Sequence, residues 1–225
     1  MSSQDPLRGN STDGGGRSRF ALKTTRLVAP VMAKFLDKPQ RHRRLQFEAL
    51  GVSPHRVVFL GDSISEFGLW DEWFPNVPVL NRGIGGETSA QVLDRISTAI
   101  HEPVAVILLI GTNDLALGVP EADVLNNIHL ILDEIEKRAP ATPVWVQSVM
   151  PRTEKLLPEL RSLNAGIQRI VDDLSDGVRY LDLWPVLATE KGTLPEEYSL
   201  DHLHLNGAGY QAWTSLLRES IPVLR

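Results

Sequence analysis

Val104-Ala105-Val106-Ile107-Leu108-Leu109-Ile110 is apolar at every position and runs directly into Gly111-Thr112-Asn113-Asp114. A short run that never alternates with polar residues suits a strand covered on both faces, as in the middle of a parallel sheet. On either side of it, β-branched runs recur at Val57 to Leu60, Val77 to Leu80, Val144 to Val149 and Val178 to Leu183. Between these runs lie stretches of helical period. One opens at Thr88 with a capping box to Gln91 and carries Val92, Ile96 and Ile100 at four-residue spacing. Others span Glu121 to Arg138, Glu159 to Leu174 and Ala208 to Ser220. Strand and helix in alternation predict an α/β fold of three layers, αβα, around a five-stranded parallel sheet. Right-handed crossovers put helices on both faces, and ligands bind at the carboxyl ends of the strands.

The rest of the chain fits one such domain. Its 225 residues are enough for a well-buried core without forcing a split, and 42% hydrophobic with 23% charged residues is an ordinary globular composition. With 23 basic and 28 acidic residues the net charge is −5, which argues against nucleic acid as a partner. There are no cysteines, so a thiol nucleophile, a thiolate metal site and a disulfide are all excluded. Residues 1–25 read as a disordered polar tail, and residues 26–55 as a helical extension before a domain over 56–225. In the extension, PQRHRRLQFEALGV from Pro39 has helical character, with Arg44 and Glu48 at i and i+4. Its basic run Arg41 to Arg44 reads as a solvated face without a function. No secretory signal or membrane-spanning stretch is recognisable, so the expectation is a cytoplasmic protein without stable membrane insertion.

Four motifs border the strands. Ser63, in Gly61-Asp62-Ser63, leaves the first strand where a nucleophile would be exposed, although a serine there is commonly a helix cap. Asn81-Arg82-Gly83-Ile84-Gly85-Gly86-Glu87-Thr88 follows the second, and its glycines suit a tight turn, an oxyanion donor or a phosphate loop. Asn113, after the third, is either a turn former or a neutral donor to a developing oxyanion. Asp201 stands three residues before His204, a spacing at which the carboxylate can fold back on the imidazole. His202 and His204 could instead ligate a metal, but the other strand ends offer neither His nor Cys as a third ligand. No motif decides alone; their convergence on one sheet edge does.

GDS at 61–63, N-x-G-x-G-G at 81–86, GTND at 111–114 and D-x-x-H at 201–204 resemble the ordered blocks of the SGNH (GDSL) hydrolase superfamily. The likeness runs from about Val57 to the C-terminus. It implies a flavodoxin-like SGNH fold and an ester hydrolase needing no metal or organic cofactor. The implied catalytic residues are Ser63, Asp201 and His204, with an oxyanion hole of Ser63, Gly86 and Asn113. Substrate contacts are expected from Ile64, Phe67, Leu115, Pro151 and Arg152, on segments that follow the same strands. NRGIGGETS, PRTEK at 151–155 and HLNGAGY at 204–210 are similar to the platelet-activating-factor acetylhydrolase catalytic subunits, which implies a short acyl group such as acetyl. The expected partner is a small-molecule ester, and a homodimer is a further expectation, since relatives form dimers as well as monomers. An O-acyltransferase or a carbohydrate O-acetylesterase would use the same residues. A non-catalytic nucleotide-binding domain would use the glycine loop alone.

Overall fold

The structure, a computed structural model, describes residues 38–174 and 176–225. The expected tail over 1–25, and the extension as far as residue 37, lie outside the described residues. Five parallel strands, β1 (Val57–Gly61), β2 (Val79–Gly83), β3 (Ala105–Leu109), β4 (Val144–Gln147) and β5 (Val178–Leu181), pair in the order β2-β1-β3-β4-β5. This order reverses direction between β1 and β3, so a crevice opens there beyond the carboxyl ends of the strands. The all-apolar run supplies the middle strand, buried from Ala105 to Leu109, while Val104 before it is exposed. Its side chains alternate between two cores: Val106, Leu108 and Ile110 in one, Ala105, Ile107 and Leu109 in the other.

The helices are α1 (residues 38–50), α2 (Ser63–Glu66), α3 (Trp70–Trp73), α4 (Ser89–Asp94), α5 (Thr112–Leu117), α6 (Glu121–Arg138), α7 (Leu157–Asp172), α8 (Trp184–Leu187) and α9 (Gly207–Ser220). Val92 of α4, Ile128 and Ile131 of α6, and Leu160, Leu163 and Ile167 of α7 cover one face of the sheet. Ile64, Trp70, Leu187, Trp213 and Leu217 cover the other, completing three layers. Trp70 stacks on Phe59 at 3.8 Å between ring centroids and is therefore core.

Three differences from the sequence reading have identifiable causes. β2 is displaced toward its polar end, because Asn81 and Arg82 satisfy their polar groups internally. Asn81 Nδ2 donates to Glu66 O at 3.0 Å, and Arg82 donates to Thr98 O at 2.9 Å and Gly51 O at 2.8 Å. The stripe of Val92, Ile96 and Ile100 is buried as expected, but α4 stops at Asp94 and a 3-10 turn follows over Ile96–Thr98. The residue at the break is Arg95, whose guanidinium is drawn inward to Glu87 Oε2 at 2.6 Å and to the carbonyls of Gly61 and Arg82. Finally, the basic face of α1 is not merely solvated. Arg44 bonds Glu87 at 2.8 Å and Asp94 at 3.3 Å instead of Glu48, and Arg43 lies 3.5 Å from Glu66. Phe47, buried on the same helix, carries the Arg82 guanidinium 4.4 Å from its ring centre.

Candidate active site

Ser63 owes its position to the residue before it. Asp62 leaves β1 with non-helical dihedrals, and its carboxylate accepts the Ile64 N–H at 3.0 Å, so that α2 starts at Ser63 on the sheet edge. Gly83 lets α2 lie directly against β2, since a Cβ there would stand 2.2 Å from Glu66 N.

The opposite side is a single turn. One oxygen of Asp201, Oδ1, accepts the N–H of Leu203 at 3.0 Å, the N–H of His204 at 2.8 Å and the Ser199 hydroxyl at 3.1 Å. An aspartate that bonds the backbone two and three residues on closes such a turn. Its other oxygen lies 2.7 Å from His204 Nδ1, and His204 Nε2 lies 3.0 Å from Ser63 Oγ. Desolvation acts to raise the Asp201 pKa, but bonds from the His204 N–H and ring and from the Leu203 N–H outweigh it and hold the carboxylate well below its ordinary range. With Nδ1 facing an ionised acceptor, the tautomer that leaves Nε2 free to accept is favoured.

Between these parts the Gly83–Glu87 loop passes close to Ser63. Gly86 has φ of +76°, a conformation that excludes most side chains, and the N–H groups of Ser63 and Gly86 have no acceptor among the described residues. Asn113 stands at the start of α5, with one amide hydrogen committed to Glu87 O at 2.9 Å. Ser63, Gly86, Asn113 and His204 all line one pocket of about 390 Å³. Its remaining wall includes Glu66, Phe67, Ile84, Leu203 and the α1 residues Pro39 and Gln40.

Of the residues expected to meet substrate, Phe67 lines this pocket, its ring centre 5.2 Å from that of His204. The structure places the other four elsewhere. Ile64 is buried in the core under α9, Leu115 packs against the opposite core, and Pro151 is buried. Arg152 is a brace: it donates to Thr112 Oγ1 at 2.7 Å and to the His202 carbonyl at 2.8 Å, tying the end of β3 to the Asp201–His204 turn. Pocket residues that sequence reasoning passed over, Gln40, Glu66 and Leu203, belong to no motif with its own spacing.

Behind the pocket wall lies a layer of buried charge. Glu87 is 0% exposed and is gripped by Arg95 and Arg44. Asp114, also buried, accepts the Ser89 N–H at 2.9 Å and the Ser89 hydroxyl at 2.6 Å; burial raises its pKa against those bonds. The Thr88 N–H is taken by Gln91 Oε1 at 3.0 Å. Two of the donors that a nucleotide phosphate would need at the start of α4, the N–H groups of Ser89 and Thr88, are thus already occupied, by a carboxylate and an amide.

A 2-1-3-4-5 parallel sheet, with GDS after β1, GTND after β3 and D-x-x-H reaching the same crevice, defines an SGNH-type hydrolase domain. The chain belongs to the GDSL-like lipase/acylhydrolase family, whose model matches residues 59–212, and is a carboxylic ester hydrolase. It is 30% identical over 191 residues to the human platelet-activating factor acetylhydrolase IB subunit alpha2, covering 80% of this chain and 82% of that protein. The bovine alpha1 subunit is likewise 30% identical, over 179 residues, covering 75% of each chain. Among solved structures, a Streptococcus pneumoniae protein described as a platelet activating factor is 26% identical with a TM-score of 0.79, covering 86% of this chain and 97% of that one. A GDSL-like lipase from Bacteroides thetaiotaomicron is also 26% identical, with a TM-score of 0.68 over 81% of this chain and 97% of that one. Among the described residues no helix is long and apolar enough to cross a membrane, and no group of three His, Cys, Asp or Glu side chains could hold a metal.

Proposed function

We propose that the protein is a serine esterase for small esters with short acyl groups, acetyl among them, acting through an acyl-enzyme. The observation that carries this reading is the series Asp201–His204–Ser63, with contacts of 2.7 and 3.0 Å, opening onto the pocket. Ser63 Oγ attacks the ester carbonyl as His204 Nε2 takes its proton, and Asp201 stabilises the imidazolium. The oxyanion is met by the N–H groups of Ser63 and Gly86 and by the second amide hydrogen of Asn113. His204 returns the proton to the departing alkoxide, then activates water to release the acid and free Ser63. A short acyl group is supported by the acetylhydrolase relatives and by a pocket of about 390 Å³ that must also admit part of the alcohol.

A panel of p-nitrophenyl esters from acetate to palmitate, run on wild type and Ser63→Ala, tests the proposal. Acetate and its near homologues should be cleaved and palmitate should not. Ser63→Ala should abolish turnover together with covalent labelling by a serine-directed fluorophosphonate. A wild-type protein that neither cleaves any ester nor takes the label would refute it. An acyltransferase would pass the acetyl group to an added alcohol in preference to water.

A further inference from the structure

The sequence match to the family begins at residue 59, yet Pro39 and Gln40 of α1 line the pocket. Gln40 is only 7% exposed, and its Nε2 donates to the Gly85 carbonyl at 3.0 Å. That carbonyl belongs to the same planar peptide unit as the Gly86 N–H, and in a trans peptide the two bonds point in opposite directions. Whatever holds the Gly85 carbonyl therefore aims the Gly86 N–H.

The Gly85–Gly86 unit needs such a hold. Glycines on both sides of a peptide leave its plane free to rotate with little steric resistance. Glu66 Oε2 accepts the Gly85 N–H at 2.8 Å, but that N–H belongs to the preceding peptide and leaves this plane unconstrained. Among the described residues, Gln40 supplies the side-chain grip on it.

The orientation of Gln40 is itself determined. A carbonyl can only accept, so the Gln40 NH₂ must face Gly85, and its Oε1 faces Gln91 Nε2 at 3.1 Å. Gln91 Oε1 in turn must accept the Thr88 N–H at 3.0 Å. A backbone acceptor at one end of this relay and a backbone donor at the other fix both amides. The helix that bears Gln40 is anchored by buried Phe47 and by the 2.8 Å Arg44–Glu87 pair.

We infer that Gln40 is a positioning residue for ester hydrolysis: by holding the Gly85 carbonyl it sets the plane of the Gly85–Gly86 peptide and directs the Gly86 N–H at the oxyanion. This rests on the reading of Gly86 as an oxyanion donor. Helix α1 is thereby part of the catalytic apparatus rather than a cover for it.

The test uses the full chain with p-nitrophenyl acetate and compares Gln40→Met, Gln40→Glu and Asn113→Ala with wild type. Gln40→Met keeps the length of the side chain and loses the donor. It should lower kcat about tenfold and leave KM within about twofold, because a misdirected donor matters only once the oxyanion forms. Gln40→Glu repels the carbonyl when ionised and can donate to it when protonated. Burial at this 7% exposed position raises the pKa of the new carboxyl above its ordinary value, so the variant's kcat relative to wild type should climb as pH falls from about 8 to about 5, while the Gln40→Met ratio stays flat. Asn113→Ala reports on the oxyanion hole independently, with an expected loss of about 10²-fold or more. If Asn113→Ala shows that loss and a folded Gln40→Met turns over at the wild-type rate, the role of Gln40 is overturned and the oxyanion reading stands. If both variants keep the wild-type kcat, the oxyanion reading itself falls. Should Gln40→Met fail to fold, a flat pH ratio for Gln40→Glu overturns the inference.

Discussion

The two halves of the site are held in different ways. Around Ser63, Gly86 and Asn113 the supporting side chains are Glu87, Arg95 and Asp114, all buried, and their bonds reach between β1, β2, α1, α4 and α5. Asp201 and His204, by contrast, are 51% and 34% exposed at the side chain and bond each other within one turn, with Ser199 and the Arg152 brace as its supports. Oxyanion donors must be rigid before the charge appears, because a donor that reorients during the reaction loses much of its effect. A buried charge layer supplies that rigidity from long range. A general base needs only one tautomer and one direction, and three residues of sequence can supply both. The nucleophile half should therefore be coupled to global stability and the base half should not.

The largest effect expected from this contrast is on rate alone. Asp201→Asn keeps an oxygen to accept the turn N–H groups but presents an amide that favours the wrong His204 tautomer. It should lower kcat by roughly 10³- to 10⁴-fold while changing unfolding free energy by less than about 1 kcal/mol. Steady-state kinetics beside urea denaturation would separate the two. A large loss of stability would mean that the turn is not self-contained.

Glu87→Ala is the counterpart on the other half. It strands Arg95, whose side chain is 3% exposed and whose remaining bonds are to the Gly61 and Arg82 carbonyls. Removing one member of a buried ion pair costs about 3–5 kcal/mol. Urea denaturation should show a loss of that size, and a change below about 1 kcal/mol would break the contrast.

What was legible beforehand divides along similar lines. The fold could be read because its signals are local and repeated: β3 is apolar at each position, and α6 spans Glu121–Arg138 as the periodicity predicts. The gathering of Ser63, Asn113, Asp201 and His204 at one edge could be anticipated because each follows or borders a strand. The charge layer could not. Arg44, Glu87 and Arg95 lie 43 and 8 residues apart in sequence, and a charged side chain has no periodicity that announces burial. The same gap hid the role of α1, since Arg44 with Glu48 is an ordinary surface pair on a helix considered alone. Arg152, expected at the substrate, is a brace because its length lets it reach two backbone segments at once.

Asp62 offers the smallest and most specific probe of the nucleophile half. It is buried, Oδ1 caps α2, and Oδ2 has no partner among the described residues. Burial pushes its pKa up from 3.8 to about 7; the neighbouring carboxylates of Asp114 and Glu87 add to that, and the Ile64 N–H and Arg152 oppose it. The native state therefore keeps this proton up to about pH 7, whereas the unfolded chain releases it near 3.8. Between those values the unfolded state binds fewer protons, so stability from this group is present at low pH and lost as pH rises through the native value. Asp62→Asn retains an oxygen for the Ile64 cap and cannot ionise. From pH 5 to pH 8 the wild type should lose about 2 kcal/mol more stability than Asp62→Asn. Urea denaturation at each pH measures this directly. Parallel curves for the two proteins would mean that Asp62 ionises freely, and that the nucleophile half is more open to water than its buried charges require.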